Sequence, residues 1–194
     1  MARVRAFIAI TIAEEILARV VTLQAELRGV GADISWVPPD HLHLTLKFLG
    51  DVLQESLLDI TQQLTRLAAV YAPFDISFAG AGGFPHLRAP RVLWVGIDEG
   101  ATILCILADA VDQAMLAVGV PSEARPYRPH LTLGRVRKTT YLDNLLPLLE
   151  AHADTRFGTM RATNVRLMRS ELSPRGARYT VLNEMALMRD SDSV

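Results

Sequence analysis

Apolar side chains recur with two different periods along the chain, and each period predicts one kind of element. Alternating or short β-branched apolar runs predict strands over 5–10, 41–49, 74–78, 91–97, 130–136, 157–172 and 179–188. The run 157–172 is long enough for one strand or two shorter ones. Spacings of three and four predict helices over 12–27, 53–70, 102–118 and 141–151.

Local signals refine three of these boundaries. Thr11 and Glu14 have the spacing of a capping box, which predicts a helix start beside them. Gly80, Gly82 and Gly83 predict a flexible loop that ends at 84–85. Pro147 lies inside the last helical pattern and makes that helix less regular, because proline interrupts a helix interior.

The order of the elements predicts the fold class. Strands 74–78 with 91–97, and 157–172 with 179–188, follow each other as hairpins do. Hairpins mixed with helices favour an α+β fold with antiparallel sheet over a doubly wound parallel sheet. No glycine-rich phosphate motif follows a predicted strand, so neither a dinucleotide fold nor a P-loop is indicated.

Size and charge narrow the function classes. A chain of 194 residues and 21.4 kDa predicts one domain over 1–194, with a disordered tail at 190–194. Twenty basic residues against 21 acidic ones give a net charge of −1. Proteins that coat duplex nucleic acid are usually clearly basic, so we expect any nucleic-acid contact to be local, such as an end.

The cysteine content and the apolar runs indicate the compartment. Cys105 is the single cysteine and lies in an apolar run, which excludes an internal disulfide and favours a buried structural thiol. The apolar run 6–12 is followed at once by Glu14 and Glu15, unlike a signal peptide, and no run reaches 18 apolar residues. We therefore predict a cytoplasmic protein without a membrane segment.

An internal repeat is the most informative feature. The tetrapeptide His-Leu-Thr-Leu at 43–46 returns unchanged at 130–133, 87 residues later, in a chain with five histidines. Residues i and i+2 of a strand share a face, about 6.6–6.8 Å apart. His43 and Thr45 therefore share one face, as do His130 and Thr132. The repeat predicts a pseudo-twofold arrangement in which each of two lobes donates one strand.

The same alternation places the neighbours of each motif. Leu44, Leu46 and Phe48 are expected to point into the core, while Lys47 shares the face of His43. Arg128 shares the face of His130 if the strand extends back through 129.

Two imidazoles and two hydroxyls that face one cleft suit a phosphate group. The hydroxyls of Thr45 and Thr132 can donate to its oxygens, and one histidine can take a proton while the other gives one. Histidine suits both roles because its ordinary pKa is about 6.5. An alternative is a zinc site on His41 and His43, but it needs a third ligand, which the nearby acids do not supply well.

The paired motifs resemble those of the two-histidine (2H) phosphoesterases, in particular the LigT/ThpR-like RNA 2′,3′-cyclic phosphodiesterases. The likeness covers about 5–188. It is carried by an opening strand at 7–10, a first block at 36–38 and 43–50, a middle hairpin at 83–85 and 91–96, a second block at 128–135, and a closing hairpin at 170–172 and 176–179.

The resemblance implies a bilobal α+β fold, with an antiparallel sheet and helices in each lobe and the active-site cleft between the lobes. It also implies metal-independent hydrolysis of a terminal RNA 2′,3′-cyclic phosphate to a 2′-phosphate, without a cofactor, and possible 2′–5′ joining of RNA ends. We expect a monomer that acts on RNA ends or nucleotides carrying the cyclic phosphate.

Each candidate residue has an expected role. We assign His43 as the general acid and His130 as the general base, with Thr45 and Thr132 on the phosphate. Arg128 can add a charge-assisted contact to the phosphate, and Tyr127 or Phe84 could stack on a base, although packing suits Phe84 better.

Two other functions stay open. One is a phosphodiesterase for small cyclic nucleotides or ADP-ribose cyclic phosphate. The other is a non-catalytic module that binds RNA ends or tRNA through arginines on and around the last predicted turn and the strand before it, which are Arg161, Arg166, Arg169, Arg175 and Arg178.

Overall fold

A computed structural model describes residues 2–138, 140, 142–173 and 176–188, so the predicted tail 190–194 lies outside the described residues. The described residues form nine strands and four helices. The strands are β1 (Arg3–Thr11), β2 (Ile34–Trp36), β3 (His43–Leu53), β4 (Phe74–Phe84), β5 (Val92–Ile97), β6 (His130–Val136), β7 (Arg156–Ala162), β8 (Asn164–Ser173) and β9 (Gly176–Ala186). The helices are α1 (Glu14–Arg28), α2 (Leu57–Ala68), α3 (Ala101–Leu116) and α4 (Leu145–Ala151).

The strands form two antiparallel sheets, which confirms the predicted α+β class. A four-stranded sheet has the order β3-β1-β8-β9, and a five-stranded sheet has the order β2-β6-β5-β4-β7. The predicted run 157–172 is two strands that enter different sheets, with β7 beside β4 and β8 beside β1. The two copies of the repeat lie on β3 and β6, one in each sheet.

The long helices cross between the two sheets. Helix α1 follows β1 of the four-stranded sheet but packs against β7 of the five-stranded one. Helix α3 follows β5 of the five-stranded sheet and packs against β3 of the four-stranded one. Buried apolar residues from both sheets and all four helices form one continuous core.

The two lobes meet where β3 approaches β6. The short strand β2 covers only the far half of β6, so the half that begins at His130 is open toward β3. Directly after β2, on the segment that leads to β3, the N–H of Val37 donates to the carbonyl of Leu133 at 2.9 Å. The buried amide of Gln24 donates to the carbonyls of Leu133 (2.8 Å) and Val37 (2.9 Å), so α1 ties the entry of β3 to β6.

Both copies of the repeat end in a β-bulge. Ala9 lies opposite Thr45 but Ile8 lies opposite Lys47, so the ladder between β1 and β3 skips Leu46. In β6 the ladder skips Leu133 in the same way. A bulge places two consecutive side chains on similar sides and reverses the alternation beyond it.

The first bulge overturns two expectations about faces. Lys47 does not share the face of His43, because its Nζ donates to the carboxylate of Asp112 on α3 and, at 2.8 Å, to the carbonyl of Pro121. Phe48 does not enter the core and is 55% exposed. Its ring lies 6.2 Å from that of Phe7, on the histidine face of the sheet.

The glycine segment predicted as a loop lies inside β4. Gly80 has φ +72° at a register shift in the ladder to β5, a conformation that glycine adopts readily. Gly82 lies against the indole of Trp94, where an added Cβ would overlap the ring. These glycines therefore allow a bulged, close-packed strand rather than a flexible connection.

The helix starts also differ from expectation. Thr11 is the last residue of β1, the helix is capped at Ala13, and no side-chain cap forms, so the predicted capping box is wrong. Pro147 is tolerated because it lies in the first turn of α4, which begins at Leu145. The backbone N–H groups of a first turn have no partner within the helix, so the missing N–H of proline costs no hydrogen bond. The three-residue strand β2 was not predicted, because it is too short to show a period.

Replacing Gln24 with methionine should destabilise the fold. The substitution keeps the side-chain length but leaves the carbonyl of Val37 without its buried donor, at a cost of about 1–3 kcal/mol. Urea unfolding measures the change, and Gln62→Met on the exposed face of α2 is the matched control. Equal stability of the two variants would contradict the bridging role of Gln24.

Candidate active site

The two histidines of the repeat are held by the same backbone contact. Nδ1 of His43 lies 2.7 Å from the carbonyl of His41, and Nδ1 of His130 lies 2.7 Å from the carbonyl of Arg128. A carbonyl only accepts, so each Nδ1 carries the hydrogen and donates it. Each Nε2 is then left to exchange protons, and neither has a hydrogen-bond partner among the described residues.

Burial lowers the pKa of both histidines below the ordinary value of 6.5. For His43, the backbone bond to His41 opposes this effect and the nearby His41 ring adds to it. For His130, the backbone bond to Arg128 opposes it and the positive charge of Arg135 adds to it. Near neutral pH both imidazoles are therefore mostly uncharged in the free protein.

Aromatic rings fix the imidazole of His43. The ring of Phe7 on β1 stacks on it, with centroids 4.7 Å apart and an interplanar angle of 27°. Tyr179 on β9 meets it edge-on at 5.5 Å and also contacts Phe7 at 5.0 Å. Neither Phe7 nor Tyr179 was singled out as a site residue from the sequence, because an aromatic in an apolar strand carries no functional signal by itself.

A different set of aromatics supports His130. Phe84 meets the imidazole edge-on at 5.1 Å and packs on Trp94 at 5.2 Å. The guanidinium of Arg128 lies 6.0 Å from the centre of the Phe84 ring. The structure thus brings Arg128 and Phe84 together with His130, and Phe84 mainly packs against the imidazole.

The two threonines lie beside the histidines, as the alternation predicts. Thr45 and Thr132 are half-buried, and neither hydroxyl has a hydrogen-bond partner among the described residues. Thr132 lies opposite Trp94, and Thr45 lies opposite Ala9. Half-buried hydroxyls without partners are available to a ligand.

Tyr127 does not lie with these groups. Its ring packs against the core, its hydroxyl is buried without a partner, and burial raises its pKa far above the ordinary value of 10. Its carbonyl accepts a 3.9 Å contact from the thiol of Cys105 on α3. Base stacking by Tyr127 does not fit this placement, because the ring faces the helix layer.

Arg135 is a site residue that the sequence reasoning missed. Val92 lies opposite both Phe84 and Arg135, so these three share a face, and Phe84 contacts His130. Burial raises the pKa of Tyr179 on the four-stranded sheet, and the positive charge of Arg135 partly offsets this rise. Arg135, on the five-stranded sheet, therefore lies close to groups of both lobes. Strict alternation along β6 would place Arg135 on the face opposite to His130. The bulge at Leu133 reverses the alternation and brings Arg135 to the face of His130.

A cavity of about 410 Å³ opens beside His43 on the same face of the four-stranded sheet. Its walls come from β1, β8 and β9, from the start of β3 and from the turn that precedes β3. No residue of the five-stranded sheet lines the cavity. The lining residues are Ala9, Thr11, Asp40, His41, Leu42, His43, Arg166, Met168, Arg178, Tyr179 and Val181.

The zinc alternative does not fit the position of His41. This residue lies in the 3₁₀ turn Pro39–His41, not on the strand with His43, and the Nδ1 of His43 is already bonded to the backbone. Within the described ranges, no three His, Cys, Asp or Glu side chains are grouped closely enough to hold a metal ion. No helix in the described part of the chain has the length and hydropathy of a membrane span.

Comparison with known sequences points to one family. A sequence model described as the 2′-5′ RNA ligase superfamily matches residues 14–173. An RNA 2′,3′-cyclic phosphodiesterase of Methanothermobacter thermautotrophicus is 38% identical over 178 residues, covering 92% of this chain and 96% of that protein. One from Thermus thermophilus is 35% identical over 191 residues, covering 94% and 90%.

Solved structures show the same fold. A Thermus thermophilus crystal structure superposes with a TM-score of 0.79 at 33% identity, covering 94% of this chain and 97% of that one. Escherichia coli LigT complexed with 3′-AMP superposes with a TM-score of 0.78 at 26% identity, covering 97% and 100%. Both matches span the two lobes and the cleft region between them.

Proposed function

Because the chain belongs to the 2′-5′ RNA ligase superfamily, we propose that it hydrolyses the 2′,3′-cyclic phosphate at an RNA end to a 2′-phosphate. The reaction needs no metal ion or cofactor, since two histidines supply both proton transfers. One chain contributes both histidines, so the activity requires no partner subunit.

One observation carries the proposal. Two identical imidazole–hydroxyl pairs lie on adjoining strands, and each imidazole keeps Nδ1 bonded to the backbone and Nε2 free. Hydrolysis of a cyclic phosphodiester needs one group to take a proton from the attacking water and another to give a proton to the leaving oxygen. The two imidazole–hydroxyl pairs supply one such group each. A module that only binds RNA ends has no need for two imidazoles that are held in the same orientation, each with a free Nε2.

The proposed chemistry is an in-line displacement at phosphorus. Nε2 of His130 takes a proton from water as the water oxygen bonds to phosphorus. The bond from phosphorus to the 3′ oxygen breaks, and Nε2–H of His43 protonates that oxygen. The products are a 3′-hydroxyl and a 2′-phosphate, and proton exchange with solvent restores both histidines.

The transition state carries extra negative charge on the non-bridging oxygens. The hydroxyls of Thr45 and Thr132 donate to these oxygens, since neither has another partner among the described residues. Arg135 brings a positive charge to the same face, and Arg128 reaches it over Phe84. We assign phosphate binding to the two threonines and both arginines.

The family model is described as a 2′-5′ RNA ligase superfamily, which suggests a second reaction at the same site, the joining of RNA ends. A 5′-hydroxyl in place of water would lose its proton to His130 and attack the cyclic phosphate, and the 3′ oxygen would leave with the proton from His43. The product is a 2′–5′ phosphodiester. We propose this joining as a minor activity, because water competes for the same position.

Activity should depend on both histidines. An oligonucleotide ending in 2′,3′-cyclic phosphate, incubated with chelator, should yield the 2′-phosphate, and His43→Gln or His130→Gln should lower kcat at least about 10²-fold. Chromatography against both monophosphate standards identifies the product. His152→Gln is the control, since His152 pairs with Glu26 at 2.9 Å outside the site. A 3′-phosphate product, or full activity in either variant, would overturn the assignment.

The acid and base roles can be separated with a leaving group that needs no proton. On a p-nitrophenyl ester of a nucleotide, His43→Gln should recover most of its lost rate, while His130→Gln should remain slow because attack still needs a base. Release of nitrophenolate measures both rates. Recovery in His130→Gln alone would reverse the two roles.

The pH profile follows from the lowered pKa values. The active form has one histidine protonated and the other neutral, so kcat/KM should be bell-shaped with both limbs set by groups that titrate below 6.5. The rate should therefore fall as the pH rises above 6.5, because the general acid loses its proton. A kcat/KM that is flat between pH 5 and 8 would contradict two titrating histidines.

A further inference from the structure

The cavity beside His43 is lined without any residue of the sheet that carries His130. Its floor is the histidine face of the four-stranded sheet, from Thr11 on β1 to Tyr179 on β9. Ligand pockets in proteins commonly have volumes of ~300–1,000 Å³, so 410 Å³ is enough for part of a nucleotide chain. The proposed proton transfers occur between the histidines and do not use this space.

The charged groups that line the cavity favour an anion. Arg166 and Arg178 both contribute to its wall, and Arg178 has no ion pair among the described residues. The single carboxylate in the lining is Asp40, which is 80% exposed and lies 3.7 Å from His41. An exposed carboxylate is well solvated and opposes anion binding only weakly.

The guanidinium of Arg166 is oriented by one neighbour. Its Nε donates to the carboxylate of Glu184 on β9 at 2.5 Å, and its side chain is 28% exposed. Its two terminal nitrogens have no partner among the described residues. An arginine held at Nε and open at both terminal nitrogens is suited to a phosphate, which accepts such paired donors.

The register places this arginine at a defined distance from the reacting group. Thr45 lies opposite Ala9, and Ala9 lies opposite Arg166, so the three form a row across β3, β1 and β8. Strands are about 4.8 Å apart, which puts the backbones of Thr45 and Arg166 about 10 Å apart. One nucleotide unit and an arginine side chain span this distance, and the small side chain of Ala9 leaves the space between them open.

We propose that this cavity is a subsite for the phosphodiester immediately upstream of the cyclic phosphate, and that Arg166 binds it. The inference rests on the proposed function and specifies its substrate: the protein prefers an oligonucleotide end over a free nucleoside cyclic phosphate.

Three substrates isolate the upstream charge. Adenosine 2′,3′-cyclic phosphate has no upstream phosphodiester, the dinucleotide with the same end has one, and its methylphosphonate analogue has a neutral linkage of the same shape. With the unmodified protein, kcat/KM should be about tenfold higher for the dinucleotide than for the other two, the effect of one charge-assisted hydrogen bond.

Two variants that break the same ion pair provide the matched comparison. Arg166→Met keeps the apolar stem and removes the cation, so the dinucleotide preference should disappear. Glu184→Gln keeps an amide oxygen for Nε and the full charge of Arg166, so the preference should persist. Arg66→Ala, on the exposed side of α2, controls for the loss of any arginine charge.

The outcomes separate the two proposals. Equal kcat/KM for all three substrates would overturn the subsite and leave the hydrolysis intact, whereas no turnover of any of them would overturn the proposed function itself. Equal loss of preference in Arg166→Met and Glu184→Gln would show that the ion pair only holds β8 to β9. Loss in Arg166→Met alone, with a weaker salt dependence on the dinucleotide, supports the subsite.

Discussion

The carbonyl of Leu133 on β6 holds in place the chain segment that leads to the first repeat. It accepts the N–H of Val37 at 2.9 Å and the amide of Gln24 at 2.8 Å. The segment after Val37 leads directly into β3, so this junction sets where His43 lies relative to β6. The position of the first imidazole–hydroxyl pair relative to the second therefore depends on this contact.

The repeat allowed the centre of the site to be predicted from the sequence. Alternation within a strand holds over the three residues from histidine to threonine in each copy, so the imidazole and hydroxyl share a face. It fails one residue later, because the bulges at Leu46 and Leu133 reverse the faces beyond them. Lys47, Phe48 and Arg135 were misplaced or missed for that reason, and a bulge leaves no mark in the hydropathy pattern.

Other differences have their origin in tertiary contacts. The glycines of β4 resembled a loop because the groups that require them to be small lie elsewhere in the chain: the Ala153 carbonyl for Gly80, the Trp94 indole for Gly82 and Pro90 for Gly83. Tyr127 resembled a stacking residue because it is an aromatic beside the second motif, yet its ring packs against the core. Phe7 and Tyr179, which hold His43, come from strands far apart in the chain and meet only after folding.

The exchange of the long helices limits how this chain can be divided. The sheet that contains β1 is covered by α3, and α1, which follows β1, covers the other sheet. A fragment ending between the two repeats would lack β8 and β9 of the four-stranded sheet and β6 and β7 of the five-stranded sheet, so neither sheet would be complete. We infer that the halves fold as one cooperative unit, and that evolution or engineering can modify loops on either lobe but cannot transplant a lobe alone.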